Sequence, residues 1–173
     1  VIDDDEVAAE DWIARMIAVA DDLGVDIVGG PQVPKFEAGA RTQYENHPVF
    51  TPHYRATGTV PILFSSGNVL IRREVLEAMG APFLDTAFNF IGGGDADFYS
   101  RCRERGFRFG WCAEAPVFET VPSRRTEFSW LNARGLRNGA ISAIIERRRG
   151  GRRGAARRIA KSLALLAASP WRS

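Results

Sequence analysis

Two apolar β-branched residues, Val1 and Ile2, run directly into Asp3-Asp4-Asp5-Glu6. Apolar positions that stop at acids predict a buried strand presenting carboxylates at its C-terminal end. The alternative is an acidic first turn feeding a helix, with Asp5 or Glu6 near its positive end. Ile13, Met16, Ile17 and Ala20 then recur at helical spacing, and Gly24 stops the pattern. Residues 25–28 read as a short strand, broken by Gly29-Gly30-Pro31. Residues 31–61 are proline-containing with few periodic apolar positions, which predicts a long surface loop. Residues 68–71 form a second apolar run, and a helix is expected over 73–79, closed by Gly80. A loop rich in glycine and aromatics spans 83–94; a helix from about 96 to 105 follows, ended by Gly106. Strands are expected around 107–111 and 116–118. The longest helical pattern runs over 126–149, with Gly150-Gly151 as its break and a second helical stretch over 155–168. Strands alternating with helices predict an α/β fold with a largely parallel sheet.

At 173 residues the chain supports one ordinary core. Its 45% apolar and 25% charged content is that of a globular protein. No apolar run approaches the roughly 20 residues of a membrane span, and two cysteines, Cys102 and Cys112, set no disulfide framework. The strand end at the first residues leads to the expectation of a partial domain, lacking its N-terminal part.

Charge divides the chain. Residues 1–146 carry all 21 acids against 14 Lys and Arg, a net of −7, whereas residues 147–173 carry nine basic residues and no acid. The expected division is a 1–146 body and a 147–173 basic amphipathic tail. The tail favours an anionic surface, lipid headgroups or nucleic acid, or is a disordered solubilising segment. Nucleic acid is disfavoured, because the body is acidic and few aromatics are interleaved with the arginines to stack bases.

Three clusters carry candidate chemistry. Asp3, Asp4 and Asp5 offer the oxygen ligands that Mg²⁺ or Mn²⁺ takes. Gly92-Gly93-Gly94-Asp95-Ala96-Asp97 places Asp95 at an expected helix N-cap, where it either satisfies free N–H groups or faces a cleft as a general base. Trp130, Arg134 and Arg137 share a helix face that suits a diphosphate, or else form a packed tryptophan with a solvated arginine edge paired to Glu127 or Glu146.

The ordered set is more specific than its parts: the acidic triplet, Ser66-Gly67-Asn68-Val69-Leu70-Ile71-Arg72-Arg73, Gly92 to Arg101, Gly106 to Trp111, and Glu119-Thr120-Val121-Pro122 with Arg125, Trp130 and Arg134. Over residues 1 to about 140 it resembles the C-terminal half of a family 2 glycosyltransferase of the GT-A fold, of the bacterial polysaccharide and succinoglycan type. The resemblance implies a metal-dependent inverting transfer from a nucleotide-sugar donor to a glycan or lipid-linked acceptor. It implies Asp5 and Asp3 at a Mg²⁺ or Mn²⁺ ion, with Asp3, Asp4 and Arg125 on the donor diphosphate. Asp95 would be the catalytic base, and Gly93, Gly94, Asp97, Arg101, Trp130 and Arg134 would shape the acceptor loop. A cytoplasmic location follows, peripheral on the inner membrane face through the basic tail. Two positions depart from the family pattern: Gly94 stands where a Glu usually precedes the base, and Phe118 where many members have His. These departures keep a non-catalytic glycosyltransferase-like binder as the alternative, beside a nucleic-acid module built on the tail. A phosphoryl-transfer enzyme has no Walker lysine loop to support it.

Overall fold

The protein is described by a computed structural model over residues 1–168, with side chains described to residue 148. It divides into two compact units, Val1–Ala133 and a second beginning at Arg134. Seven strands and four helices follow in order: β1 (Glu6–Ala8), α1 (Trp12–Asp22), β2 (Ile27–Gly29), β3 (Gln32–Phe36), β4 (Gly58–Val60), β5 (Val69–Ile71), α2 (Arg73–Met79), α3 (Gly94–Glu104), β6 (Phe109–Trp111), β7 (Val117–Val121) and α4 (Phe128–Ala168).

The strands form a four-stranded sheet ordered β4-β6-β2-β5 and a three-stranded sheet ordered β1-β7-β3. Only β2 with β6 and β3 with β7 are parallel; β1 with β7, β2 with β5 and β4 with β6 are antiparallel. The expected largely parallel sheet is therefore corrected to a mixed α/β arrangement. Its parallel centre is flanked by antiparallel edge strands, which need no helical crossover.

Packing follows the strand period. On β2, Ile27 enters one core with Phe109, Trp111, Phe98, Tyr99, Val75 and Met79. Its neighbour Val28 enters a second with Met16, Ala20 and Cys112. Alternate residues of a strand face opposite sides, so α1 covers one face of the sheet and α2 and α3 the other. Of the α1 stripe, Met16 and Ala20 are buried, while Ile13 and Ile17 stay about half exposed.

The two parallel legs pass together from one sheet to the other. β2 continues through Gly30 and Pro31 into β3, and β6 continues into β7. The amide of Asn68 closes the junction. Its Nδ2 donates to the Pro31 and Ala115 carbonyls at 2.9 and 2.8 Å, and its Oδ1 accepts from Trp12 Nε1 at 2.7 Å. Gly30 is required there, since a Cβ would stand 2.6 Å from both Ala115 O and Asn68 Nδ2.

Two expectations fail on the backbone. The 31–61 loop contains β3, β4 and two short 3₁₀ turns. Pro34 concealed β3, but the strand pairs with β7 alone, and an edge strand tolerates the missing N–H. Gly150 and Gly151 do not break the last helix, because α4 runs through both. Glycine costs a helix interior only about 1 kcal/mol. The side chains of the basic tail from residue 149 onward lie outside the described residues. Among the described residues, no helix is long and apolar enough to cross a membrane.

Candidate functional site

The acidic run is a turn that follows two strand-paired residues, and not a helical first turn. Val1 exchanges backbone bonds with Val69, its ammonium donating to Val69 O and its carbonyl accepting from Val69 N. Ile2 bridges Asn68, yet Val1 and Ile2 are 64% and 38% exposed. The chain then turns. Glu6 N donates to Asp3 O at 3.2 Å, Asp3 N donates to Glu6 Oε2 at 3.3 Å, and Asp4 and Asp5 occupy the exposed tip. β1 follows from Glu6, not a helix.

On the opposite side of the site, Gly92 and Gly93 adopt φ of +76° and +87°, a region open at little cost only to glycine. They turn the chain into α3. Gly93 is the N-cap, which corrects the expected cap at Asp95. Asp95 is the second helical residue, and its Oδ1 accepts from Ala96 N at 2.8 Å. Asp97 is 5% exposed and pairs with Arg101 at 2.8 Å; Arg101 also donates to the Phe83 carbonyl. That partly buried pair anchors the loop before α3.

Asp3 lies within electrostatic reach of Asp95. Partial burial pushes the Asp3 carboxyl above its usual range, and the carboxylates of Asp5, Asp4 and Asp95 push it further. Tyr99, one turn beyond Asp95 on α3, is buried and donates from its hydroxyl to Ser65 O at 3.3 Å. Burial raises its phenol well above the ordinary value, with Asp95 and Asp3 adding to the effect. Tyr99 is thus held as a neutral donor beside two acids. Sequence reasoning missed it, although its spacing of four from Asp95 was the available signal.

Glu6 extends the acidic patch. It stands directly across from Glu119 in the β1–β7 register, a like-charged pair. Burial raises its carboxyl first. Bonds from Gln32 and from the Asp3 N–H oppose that rise, and Asp3 and Glu119 add to it. Arg125, expected on the donor diphosphate, forms an ion pair with Glu119. Phe118, at the position where the resemblance favours histidine, carries Lys35 Nζ 4.3 Å above its ring. Trp130 stacks on Phe50 with centroids 6.3 Å apart, so it is a packing residue of the 36–50 segment. Arg134 belongs to the second compact unit.

The donor set matches a hard divalent cation in kind, because crowded carboxylates raise one another's proton affinity when no positive charge lies between them. Among the described residues no three His, Cys, Asp or Glu side chains converge on one point. Asp3 and Asp5 therefore suit Mg²⁺ or Mn²⁺ only if substrate phosphates and water supply the remaining ligands, as is usual for Mg²⁺. Thiol chemistry has no place here. Cys102 and Cys112 are free, buried and in different cores, and burial pushes the Cys102 thiol up to about 11. An open depression of about 620 Å³ along α2, lined by Arg73, Leu76, Glu77 and Phe83 among others, contains none of the expected site residues.

Over 150 residues the chain is 30% identical to the succinoglycan biosynthesis protein ExoM of Rhizobium meliloti (strain 1021), a match covering 80% of this chain and 44% of that protein. The chain thus spans less than half the length of this relative. No family model matches the chain, and no solved structure does.

Proposed function

We propose that the chain is the metal- and acceptor-binding part of an inverting glycosyltransferase of the GT-A type, acting in polysaccharide biosynthesis. The observation that carries this reading is that Asp95, on a helix far along the chain, lies within electrostatic reach of Asp3 on the acidic turn. The likeness to a succinoglycan biosynthesis protein supports the pathway class.

In this reading Asp5 and Asp3 would hold the Mg²⁺ or Mn²⁺ that a nucleotide-sugar diphosphate brings, and Asp4 and Arg125 would bind the donor diphosphate. The cation, when bound, neutralises charge developing on the departing nucleoside diphosphate. Asp95 accepts the proton of the acceptor hydroxyl as that oxygen bonds to the anomeric carbon, and the bond from that carbon to the diphosphate oxygen breaks. Tyr99, neutral and buried, stands one helical turn beyond Asp95. Gly93 and Gly94 leave room for the acceptor, while Asp97 and Arg101 fix its loop. A glycan or lipid-linked acceptor and a position on the inner face of the membrane, reached through the tail, belong to the same proposal.

The test is Mn²⁺-dependent transfer or hydrolysis of UDP-, GDP- and dTDP-sugars by the longest native form of the chain. Asp5→Ala and Asp95→Asn are each expected to lower the rate at least a hundredfold. A measured rate that neither substitution changes rules out the assignment. One observation favours a non-catalytic binder: Asp95 Oδ1 is already engaged by the Ala96 N–H. That reading predicts nucleotide-sugar binding without turnover and unaltered by Asp95→Asn.

A further inference from the structure

The Asp3 turn is held by a relay that starts in a different strand. Gln32, the first residue of β3, reaches across the small sheet with its side-chain amide. Its Nε2 donates to Glu6 Oε1 at 2.5 Å, and its Oε1 accepts from Ser65 Oγ at 2.7 Å. Ser65 Oγ is also the acceptor for Gly67 N at 3.3 Å, and the Ser65 carbonyl accepts from Tyr99. Glu6 in turn exchanges bonds with both backbone polar groups of Asp3. Gly67 leaves the space this needs: a Cβ there would overlap the Gln32 amide and stand 3.1 Å from Asp3 Oδ2. An amide is suited to the position because it donates to one partner and accepts from the other, adding no charge to a crowded acidic patch.

The geometry points to Gln32 as a positioning residue that sets Asp3 through Glu6, tying the acidic turn to the segment that also receives Tyr99 from α3. Gln32 touches no reacting group itself. Its role as a determinant of metal binding rests on the donor-side reading of Asp3 and Asp5, while its hold on the turn does not.

Two readouts on the purified longest native form of the chain separate these. The first is hydrogen exchange at the Glu6 N–H, which bonds Asp3 O, compared with exchange through global unfolding. The second is Mn²⁺ affinity in the presence of UDP, from the electron paramagnetic resonance signal of free Mn²⁺. Gln32→Ala and Gly67→Ala are each expected to speed Glu6 exchange and to weaken Mn²⁺ binding roughly tenfold, as for other groups that orient metal ligands. The transposed pair Glu6→Gln with Gln32→Glu keeps one carboxylate–amide bond and the total charge, and should restore both. If Gln32→Ala does not fold, the isosteric Gln32→Glu serves, setting a carboxylate against Glu6. Unchanged Glu6 exchange overturns the positioning role. Faster exchange with unchanged Mn²⁺ affinity overturns its link to the metal. No Mn²⁺ binding by the unsubstituted chain sinks the transferase reading instead, and the exchange result still decides whether Gln32 holds the turn.

Discussion

Asp95, at the start of α3, lies close enough to Asp3, on the turn before β1, for its carboxylate to raise the proton affinity of Asp3. Nothing in the fold requires two acids to meet there. Asp5 and Asp4 crowd Asp3 from its own turn, and Tyr99 supplies a neutral hydroxyl rather than a cation. Like charges left near one another reduce stability, a cost that the cation of the glycosyltransferase reading would offset.

That cost has a pH signature. Asp3 titrates above its ordinary 3.8 in the folded chain, so folding favours its protonated form. Its penalty is absent below the ordinary value, grows as pH rises through the folded value, and is then constant. Asp3→Asn should therefore stabilise the metal-free chain at pH 7 by up to about 1 kcal/mol, limited by solvent screening. The gain should vanish below about pH 4. Urea denaturation between pH 3.5 and 8 measures this, and a loss of stability at pH 7 would contradict the repulsion.

Asn68 makes a larger demand. Leucine there would leave Trp12 Nε1 and the Ala115 carbonyl without their partner, and the Pro31 carbonyl with only the Val117 N–H. Each buried unpaired group costs about 1–3 kcal/mol, so with two groups orphaned Asn68→Leu should cost at least about 2 kcal/mol in denaturant unfolding. Asn68→Asp keeps the acceptor for Trp12 but aims a carboxylate oxygen at two carbonyls. Its deficit should shrink as pH falls and the acid is protonated.

How far the sequence revealed this structure depended on what each residue's neighbours were. Helix α2 was readable from Val75, Met79 and Gly80, because its apolar face and its stop are local. Strand β3 was hidden, since Pro34 and Lys35 argue against a strand and only its pairing with β7 explains why they are tolerated. The Ile13–Ala20 stripe located α1 without showing that the sheet covers only Met16 and Ala20. In the site, Asp3 and Asp95 stood out because carboxylates in such settings are chemically costly. Gln32 and Ser65 carry no such mark, and their meaning lies wholly in partners distant along the chain. Glu119 and Arg125 were in view as parts of one motif, but nothing in their spacing showed that they pair with each other.

Adjacent glycines at the entry to α3 should respond in opposite directions. Gly93 has φ of +87°, so Gly93→Ala forces a Cβ into the left-handed region at about 1–2 kcal/mol. Gly94 is the first helical residue with no positive φ, and a Cβ there meets only Leu84 and Phe88 at 3.7 Å, an ordinary contact. Gly94→Ala should raise stability by about 0.4–1 kcal/mol by restricting the unfolded chain. At about 2–4 °C per kcal/mol for a chain of this size, thermal unfolding resolves both. A loss at Gly94 equal to that at Gly93 would mean that the α3 entry is formed differently.

The Arg125–Glu119 pair is the remaining link between the acidic patch and a cation. Both side chains are partly buried, at 29% and 25% exposure, and Glu119 faces Glu6 across the strands. Removing Arg125 thus does more than break one ion pair, because it exposes Glu6 to an uncompensated Glu119. Arg125→Ala should cost about 1 kcal/mol or somewhat more, and less in a Glu119→Gln background, where no second carboxylate is left to neutralise. The double-mutant cycle isolates that difference by denaturation at pH 7. In the glycosyltransferase reading Arg125 also has to choose between Glu119 and a diphosphate. Glu119→Gln frees the guanidinium, and it should tighten nucleoside diphosphate binding while Arg125→Ala weakens it. If Glu119→Gln leaves that affinity unchanged, Arg125 belongs to the sheet and not to the donor.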